Sequence, residues 1–257
     1  GTSNVRFGVN AGNSIASGGN FNVVVGDEAG TAITTGDGNV AVGYEALKTE
    51  DADNANTAIG HQALKTLNAG AAGFNTAVGF TAGTALTTGA VNTLVGGLAG
   101  DALTSGNSNV ALGYLALSAD TLGDRAVAIG MNALATQNFT STTDNYNVGV
   151  GYQAGFAITT GAQNTMIGGL AGDATTTADN ITAVGYKALS LNTTGTQNVA
   201  VGSLALDANT TANNNTGVGH ASLGANTTGA ENTAVGTNSL DSNTTASNNV
   251  AVGHNVL

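Results

Sequence analysis

The side chains best suited to chemistry are histidines and tyrosines, and nearly all of them recur directly after the glycine of a repeated Asn-x-x-x-Gly motif. That place is occupied by His61, His220, His254, Tyr44, Tyr114, Tyr152, Tyr186 and Phe80. Imidazole can act as a base or a metal ligand, and an aromatic ring can stack on a sugar. A residue type confined to one repeat position is placed by the architecture, and no two histidines fall in neighbouring repeats. We therefore expect these rings to cover a shoulder or a subunit seam. Sugar stacking by Tyr44, Tyr114, Tyr152 and Tyr186 is the alternative.

Acidic residues form only two small clusters. Glu50, Asp51 and Asp53 share one turn, and Asp120 and Asp124 share another. Calcium binding is conceivable there, but the Gly-Gly-x-Gly-x-Asp nonapeptide of calcium β-rolls is absent, which favours solvated loops. No phosphate loop, Ser-His-Asp order or paired-carboxylate motif occurs, and the chain has no cysteine. The sequence predicts no catalysis, no cofactor and no metal site.

Composition narrows the choice of partners. The 257 residues carry a net charge of −11 with only five Lys and Arg, so nucleic acid and anionic membrane surfaces are not expected partners. No apolar run approaches the ~18 residues of a membrane span, so no membrane insertion by this segment is expected. Glycine is abundant (39 residues), whereas proline and tryptophan are absent. Order must therefore come from something other than a thick core of large side chains.

A repeat provides that order, and it predicts one repeat domain over residues 1–257. We number its positions 1 to 17, with the motif glycine at position 5. Eleven of the fourteen intervals between successive motif glycines are 17 residues. The fifteen glycines are Gly8, Gly26, Gly43, Gly60, Gly79, Gly96, Gly113, Gly130, Gly151, Gly168, Gly185, Gly202, Gly219, Gly236 and Gly253.

Positions 1 to 5 predict a short strand. Position 2 is always Val or Thr, and position 4 is always Val, Ile, Leu or Phe. We expect this apolar side to face the interior. Positions 3 and 5, as at Ala41 and Gly43, are mostly small and predict close packing against another chain, so that Ala200→Leu would weaken an oligomer. Asparagine fills position 1 in thirteen copies and predicts an amide ladder, and Thr-Thr-Gly stretches predict turns.

Positions 9 and 12 predict a shared interior slot. Position 9 is glycine in six copies, and in five of those position 12 is apolar, as in the pair Gly30 and Ile33. Where position 9 is leucine, position 12 is usually polar, as in Leu223 and Asn226. A core of fixed volume behaves in this way.

These features together predict an all-β chain, a parallel β-solenoid or β-roll of about fifteen 17-residue coils. The in-register core Asn-x-Ala-Val-Gly-x-x-Ala, from Asn4 through Gly253, resembles the head repeats of trimeric autotransporter adhesins and repeat regions of bacterial and phage tail fibres. The resemblance implies side-by-side packing of three chains and attachment to a surface. The unit is longer than is usual in those heads, and the chain shows no stalk, anchor or auto-cleaving chaperone domain, so it is expected to be a fragment of a longer fibre.

The expected function is that of a rigid extracellular attachment segment on a cell or virion surface. We expect a homo-oligomer, a trimer above all, with a surface glycan or protein receptor as ligand. A filament subunit without a ligand is the alternative. The interruption between Gly130 and Gly151 holds the candidate ligand-binding residues Phe139, Asp144, Asn145 and Tyr146, and a smaller one, 67–74, is a second candidate. Ice binding is disfavoured because the threonines are adjacent, as in Thr193-Thr194, and point to opposite sides. Asn-Thr-Thr sequons, as at Asn192, arise from the repeat and predict no glycosylation.

Overall fold

The computed structural model describes residues 3–70 and 73–256. These residues form an all-β parallel solenoid of about 14 turns with a repeat of about 17 residues, which confirms the predicted fold class. Each coil contributes one three-residue strand, which begins at position 2 and ends at position 4. The described residues contain no helix, and hence none that could cross a membrane.

The coils fall into two compact units. The first runs to residue 126 and includes 138–144, and the second comprises 127–137 and the chain from 145 onward. The first unit holds β1 (Val5–Phe7), β2 (Val23–Val25), β3 (Val40–Val42), β4 (Thr57–Ile59), β5 (Thr76–Val78), β6 (Thr93–Val95), β7 (Val110–Leu112), β8 (Gly123–Asp124) and β10 (Thr143–Asp144). The second holds β9 (Val127–Ile129), β11 (Val148–Val150), β12 (Thr165–Ile167), β13 (Thr182–Val184), β14 (Val199–Val201), β15 (Thr216–Val218), β16 (Thr233–Val235) and β17 (Val250–Val252).

Successive coils pair in the register of the repeat. Val40 lies opposite Thr57 and Ala41 opposite Ala58, and the same parallel pairing repeats along each unit. Equivalent side chains therefore stack directly above one another, about 4.8 Å apart. Residues at the same repeat position therefore form a continuous line within each unit, either in the interior or on the surface.

The predicted orientation of the strands is wrong, because alanine faces inward. Ala41, Ala58 and Ala200 at position 3 are fully buried, whereas the flanking residues at positions 2 and 4 are partly exposed. The interior is too narrow for large side chains at every position 3. At Gly149, for example, a Cβ atom would lie only 2.9 Å from Cγ of Leu134. Replacing Ala200 with leucine would therefore disturb the core of the chain itself.

Asparagine at position 1 forms the predicted ladder, and most of its bonds join a side chain to the backbone. The N–H of Asn39 donates to Oδ1 of Asn22 in the preceding coil at 2.8 Å. Nδ2 of Asn39 donates to the carbonyl of Asp53, also at 2.8 Å, at the far end of its own coil. Each buried asparagine thus links its coil to a neighbouring coil and also links the start and the end of its own coil. These bonds satisfy polar groups that would otherwise be costly to bury.

The interior slot is shared among three positions. A Cβ on Gly30 would lie 2.8 Å from Cδ1 of Ile33, so the apolar residue at position 12 fills the space left by glycine at position 9. Met166 at position 3 fills the space beside Gly172, where a Cβ would lie 2.8 Å from the methionine sulfur. Position 9 has a positive φ in either case, 54° at Gly30 and 52° at Leu206. Glycine adopts that conformation readily, and leucine is held there by its burial.

Candidate functional site

The aromatic residues of position 6 lie just beyond the glycine that ends each strand. Tyr44, Tyr114, Tyr152 and Tyr186 are all about half exposed, as is Phe80. The glycine at position 5 allows this turn, since its φ lies near +130° and a Cβ on Gly26 would lie 2.7 Å from the carbonyl oxygen of Gly43. The repeat therefore presents its rings at the surface, in one line within each unit.

Three of these rings form a ladder in the first unit. The centroids of Tyr44 and His61 lie 5.3 Å apart, and those of His61 and Phe80 lie 5.1 Å apart with an angle of 15° between planes. His61 therefore lies between two rings and covers one face of each. The sugar-stacking surface expected at Tyr44 is reduced accordingly on the side that faces His61.

Tyr114 and Tyr186 have a different neighbour, because each follows a coil with glycine at position 6. A Cβ on Gly97 would lie 3.5 Å from Cδ2 of Tyr114, and a Cβ on Gly169 would lie 3.7 Å from Cδ2 of Tyr186. Each tyrosine ring thus leans toward a glycine that has no side chain to cover it. The sequence shows both glycines, but the relation becomes visible only once the coils are in register.

The insertion is held at its start within the first unit. Phe139 is only 6% exposed, and its N–H donates to Oδ1 of Asp120 at 3.3 Å. Strand β10 pairs with β8, and Asp144 forms an ion pair with Arg125. Phe139 is therefore a core residue, and the expectation of an exposed aromatic there is not met. Asp144 remains accessible, although its carboxylate is already engaged.

The end of the insertion belongs to the second unit. Asn145 is fully buried, and its Oδ1 accepts a hydrogen bond from the N–H of Asn147 at 2.9 Å. Tyr146 is half exposed, at position 17 with a φ of 52°. Of the predicted aromatic pair, only Tyr146 faces solvent. The smaller interruption, 67–74, includes Ala71 and Ala72, which lie outside the described residues.

Glu50 is a buried acid that sequence reasoning placed in a solvated loop. Its side chain is fully buried at position 12, where the preceding and following coils have Ile33 and Leu67, also buried. Burial, together with a hydrogen bond to the Asp53 carboxylate, raises the pKa of Glu50 to about 9. The N–H of Asp53 also donates to Oε1 of Glu50. At neutral pH Glu50 is thus a neutral acid within the core.

A small ion-pair network lies on the surface of the first unit. Glu45 contacts Lys48 and Lys65, both at 2.7 Å, and Nε2 of Gln62 donates to it at 2.8 Å. These contacts lower the pKa of Glu45 to about 2. Glu45 stands at position 7, and Lys48 and Lys65 stand at position 10 of the same and the next coil. The spacing of these three residues in the sequence could have predicted this ion-pair network. Among the described residues, no group of three or more His, Cys, Asp or Glu side chains is arranged to hold a metal ion.

Another repeated surface is the outer face of the strands, at positions 2 and 4. Ile59, Leu112 and Ile167 are 39%, 46% and 39% exposed, and no charged residue occupies either position in any coil. A solvated sheet face normally carries polar and charged side chains. This outer face was missed from the sequence because its residues were assigned to the core.

Comparison with known proteins gives no match: no family model, no curated protein and no solved structure is similar to this chain.

Proposed function

We propose that the chain is a structural attachment protein, a segment of an extracellular fibre or adhesin head that works as a homotrimer. The observation that carries this proposal is the uncharged apolar outer face. Val, Thr, Ile and Leu at positions 2 and 4 repeat from coil to coil without a charge. Threonine fills position 2 in seven coils, and the other side chains of the face are Val, Ile, Leu or Phe. A contiguous uncharged surface of this kind is characteristic of a protein interface.

The size of the outer face can be compared with that of such an interface. A three-residue strand is roughly 10 Å long and strands are about 4.8 Å apart, so each coil exposes roughly 50 Å². Seven such strands in the first unit offer roughly 350 Å², and eight in the second offer roughly 400 Å². Each unit by itself therefore offers roughly half of the ~800 Å² that each partner buries in a standard interface.

The partner proposed for this face is a second and third copy of the chain. A face built from one repeated set of side chains can pack against another copy of the chain, because β-branched residues of uniform size pack against equal neighbours. A self-complementary face alone does not set the number of copies, since a ring of three needs a heterologous contact. The number three rests on the resemblance to adhesin heads and tail-fibre repeats. Such an assembly supplies the thick apolar core that a single narrow coil lacks.

Attachment is the proposed role because the surface offers exposed rings and repeated polar groups, whereas residues 3–70 and 73–256 bring together no acids, bases or nucleophiles in the way that enzymes do. The ligand is a surface glycan or a protein receptor, and the place of action is outside a cell or virion. A filament subunit without a ligand remains the second candidate, favoured by the uniformity of the coils.

Binding of the fluorescently labelled protein to an array of glycans and to immobilised extracellular-matrix proteins tests the attachment role. We expect retention on at least one class, with the heat-unfolded protein as control. Retention on neither class, with folding verified by circular dichroism, would support the architectural filament subunit instead.

A further inference from the structure

Threonine pairs at positions 13 and 14 form two unbroken lines along the second unit. All six side chains at position 14 are exposed, and those at position 13 are at least partly exposed. We call these twelve residues the threonine strip. Its pairs are Thr159-Thr160, Thr176-Thr177, Thr193-Thr194, Thr210-Thr211, Thr227-Thr228 and Thr244-Thr245, one in each of six successive coils.

Both threonines of a pair are accessible because the chain bends where they lie. The sequence predicted that adjacent threonines in a strand point to opposite sides, which disfavoured ice binding. The structure has no strand at these positions. At Thr193 and Thr194 the chain forms a bend on the outside of the coil, and the residues on either side, Asn192 and Gly195, are buried. Alternation is a property of strands, so it gives no argument against ice binding here.

The hydroxyl groups at position 13 are held by the backbone of the following coil. The N–H of Thr193 donates to the carbonyl of Thr210 at 2.8 Å, and Oγ1 of Thr193 donates to the same carbonyl at 3.1 Å. The side-chain bond recurs in five successive coils, from Thr159 to Thr227, with lengths of 2.9 to 3.2 Å. This line of threonines is therefore fixed in one rotamer and repeats at about the strand spacing of 4.8 Å.

The threonines at position 14 are not required by the fold. Their hydroxyl groups make no hydrogen bond within the described part of the chain. The first unit has Ala52, Ala69 and Leu122 at the same position, so a coil forms with other side chains there. Six consecutive threonines with unused hydroxyl groups therefore exceed what the coil itself needs.

Short side chains flank the strip on both sides. In these six coils position 15 is always glycine or alanine, and position 11 is alanine except at Leu191 and Ser242. No charged or aromatic residue occurs at positions 11 to 15. An extended solid surface can therefore approach both lines of threonines. A sugar or a protein receptor would find none of the aromatic or charged anchors that such ligands use.

We propose that the threonine strip binds ice. The hydroxyl and methyl groups of the strip repeat at about the strand spacing, which is close to the repeat of water molecules in an ice plane, so water ordered on the strip continues into the crystal. Threonine is stiff at χ1, so little side-chain entropy is lost on binding. Many weak contacts act together because one rigid array presents them all. This function goes beyond attachment to a glycan or protein receptor and uses none of the residues at positions 2 and 4.

Growth of polycrystalline ice from a dilute solution of the fluorescently labelled protein tests the proposal. The measured quantity is the fraction of protein taken into the ice, for the native chain and for the double variant Thr194→Lys, Thr211→Lys in the middle of the strip. We expect the ice to take up the native protein and at least about tenfold less of the variant, because long charged side chains hold ice away from the strip. Circular dichroism should be unchanged, since both residues are exposed.

The matched control is the double variant Thr35→Lys, Thr88→Lys. It has the same charge change at position 14 and also replaces exposed threonines. These residues belong to the first unit, where Asp51 and Asn68 interrupt the line at position 13. The control should enter the ice as the native protein does.

If the lysine variant of the strip alters the circular dichroism, Thr194→Ala with Thr211→Ala takes its place, because alanine already occupies position 14 at Ala52 and Ala69. Its uptake should also fall below that of the control. Exclusion of the native protein from growing ice, or uptake of a folded strip variant equal to that of the control, would overturn the proposal.

Discussion

At the residue scale, the buried carboxyl of Glu50 makes stability depend on pH. Its folded-state pKa of about 9 lies above the ordinary value of 4.5. Between those values the unfolded chain releases the proton while the folded chain keeps it, so stability decreases as the pH rises through this window. Below about pH 4.5 the carboxyl is protonated in both the folded and the unfolded chain, so Glu50 no longer lowers the free energy of unfolding. The cost reflects burial first and the contact with Asp53 second.

Glu50→Gln should remove this dependence. The amide keeps the acceptor for the Asp53 N–H, and its NH2 group can face the Asp53 side chain as the protonated carboxyl does. We expect the variant to match the native protein near pH 4.5 and to exceed it at pH 8 by on the order of 1–3 kcal/mol. Urea unfolding across this range measures the difference, with the exposed Glu231→Gln as control. If the Glu50→Gln variant kept the native slope of stability against pH, Glu50 would have to be ionised in the folded state.

Single residues also show where sequence reasoning ends. Phe139 and Tyr146 are both aromatics in the same insertion, yet the first is buried and the second is exposed. The difference arises from the pairing of β10 with β8 and from the bond between Phe139 and Asp120, neither of which has a periodic signal. The buried asparagines Asn192, Asn209 and Asn226 begin sequons in the sequence, but in the structure they form a second ladder, at position 12, in which each Nδ2 is hydrogen-bonded. Their Nδ2 atoms are therefore unavailable to a glycan in the folded chain.

At the element scale, the repeat predicted the coil, the strand and the asparagine ladder but reversed the sides of the strand. Alternation of valine and alanine is compatible with either side facing inward, because both are apolar. What decides the orientation is volume. Leucine at position 9 already fills the narrow interior, so only alanine fits opposite, as the contact between Gly149 and Leu134 shows. The large residues at position 3, which are Arg6, Val24, Leu94 and Met166, occur beside glycines at position 9.

The Met166 coil tests this division of space. Met166→Ala should leave a cavity between Gly155 and Gly172 and cost ~2–5 kcal/mol of unfolding free energy. Adding Gly172→Leu recreates the alanine-and-leucine pattern of other coils and should restore part of that loss. Gly172→Leu alone should destabilise by overpacking, since the added Cβ would meet the methionine sulfur. Urea unfolding of the native protein and of these three variants gives the coupling free energy between the two positions. Additive effects of the two changes would mean that the side chains do not share one space.

At the scale of the whole molecule, the inverted strand changes which surface is available for assembly. The position-3 alanines predicted to meet another chain are inside, the position-5 glycines are partly exposed, and the apolar side predicted to be inside is at least partly exposed. An oligomer interface is therefore expected at positions 2 and 4 and no longer at positions 3 and 5. Its physical basis is stronger there, because Val, Ile and Leu lose more contact with water on association than alanine does.

Lysine on this outer face should therefore prevent assembly without unfolding the chain. In Leu112→Lys with Ile167→Lys, each half-exposed side chain remains free to hydrate its charge in the monomer, whereas a packed interface would have to bury it. Light scattering should return about three times 24.8 kDa for the native protein and a single chain mass for the double variant, with circular dichroism unchanged. Leu191→Lys, comparably exposed but at position 11, serves as the control and should keep the native mass. A native mass of one chain, or a double variant that still assembles, would contradict association through positions 2 and 4.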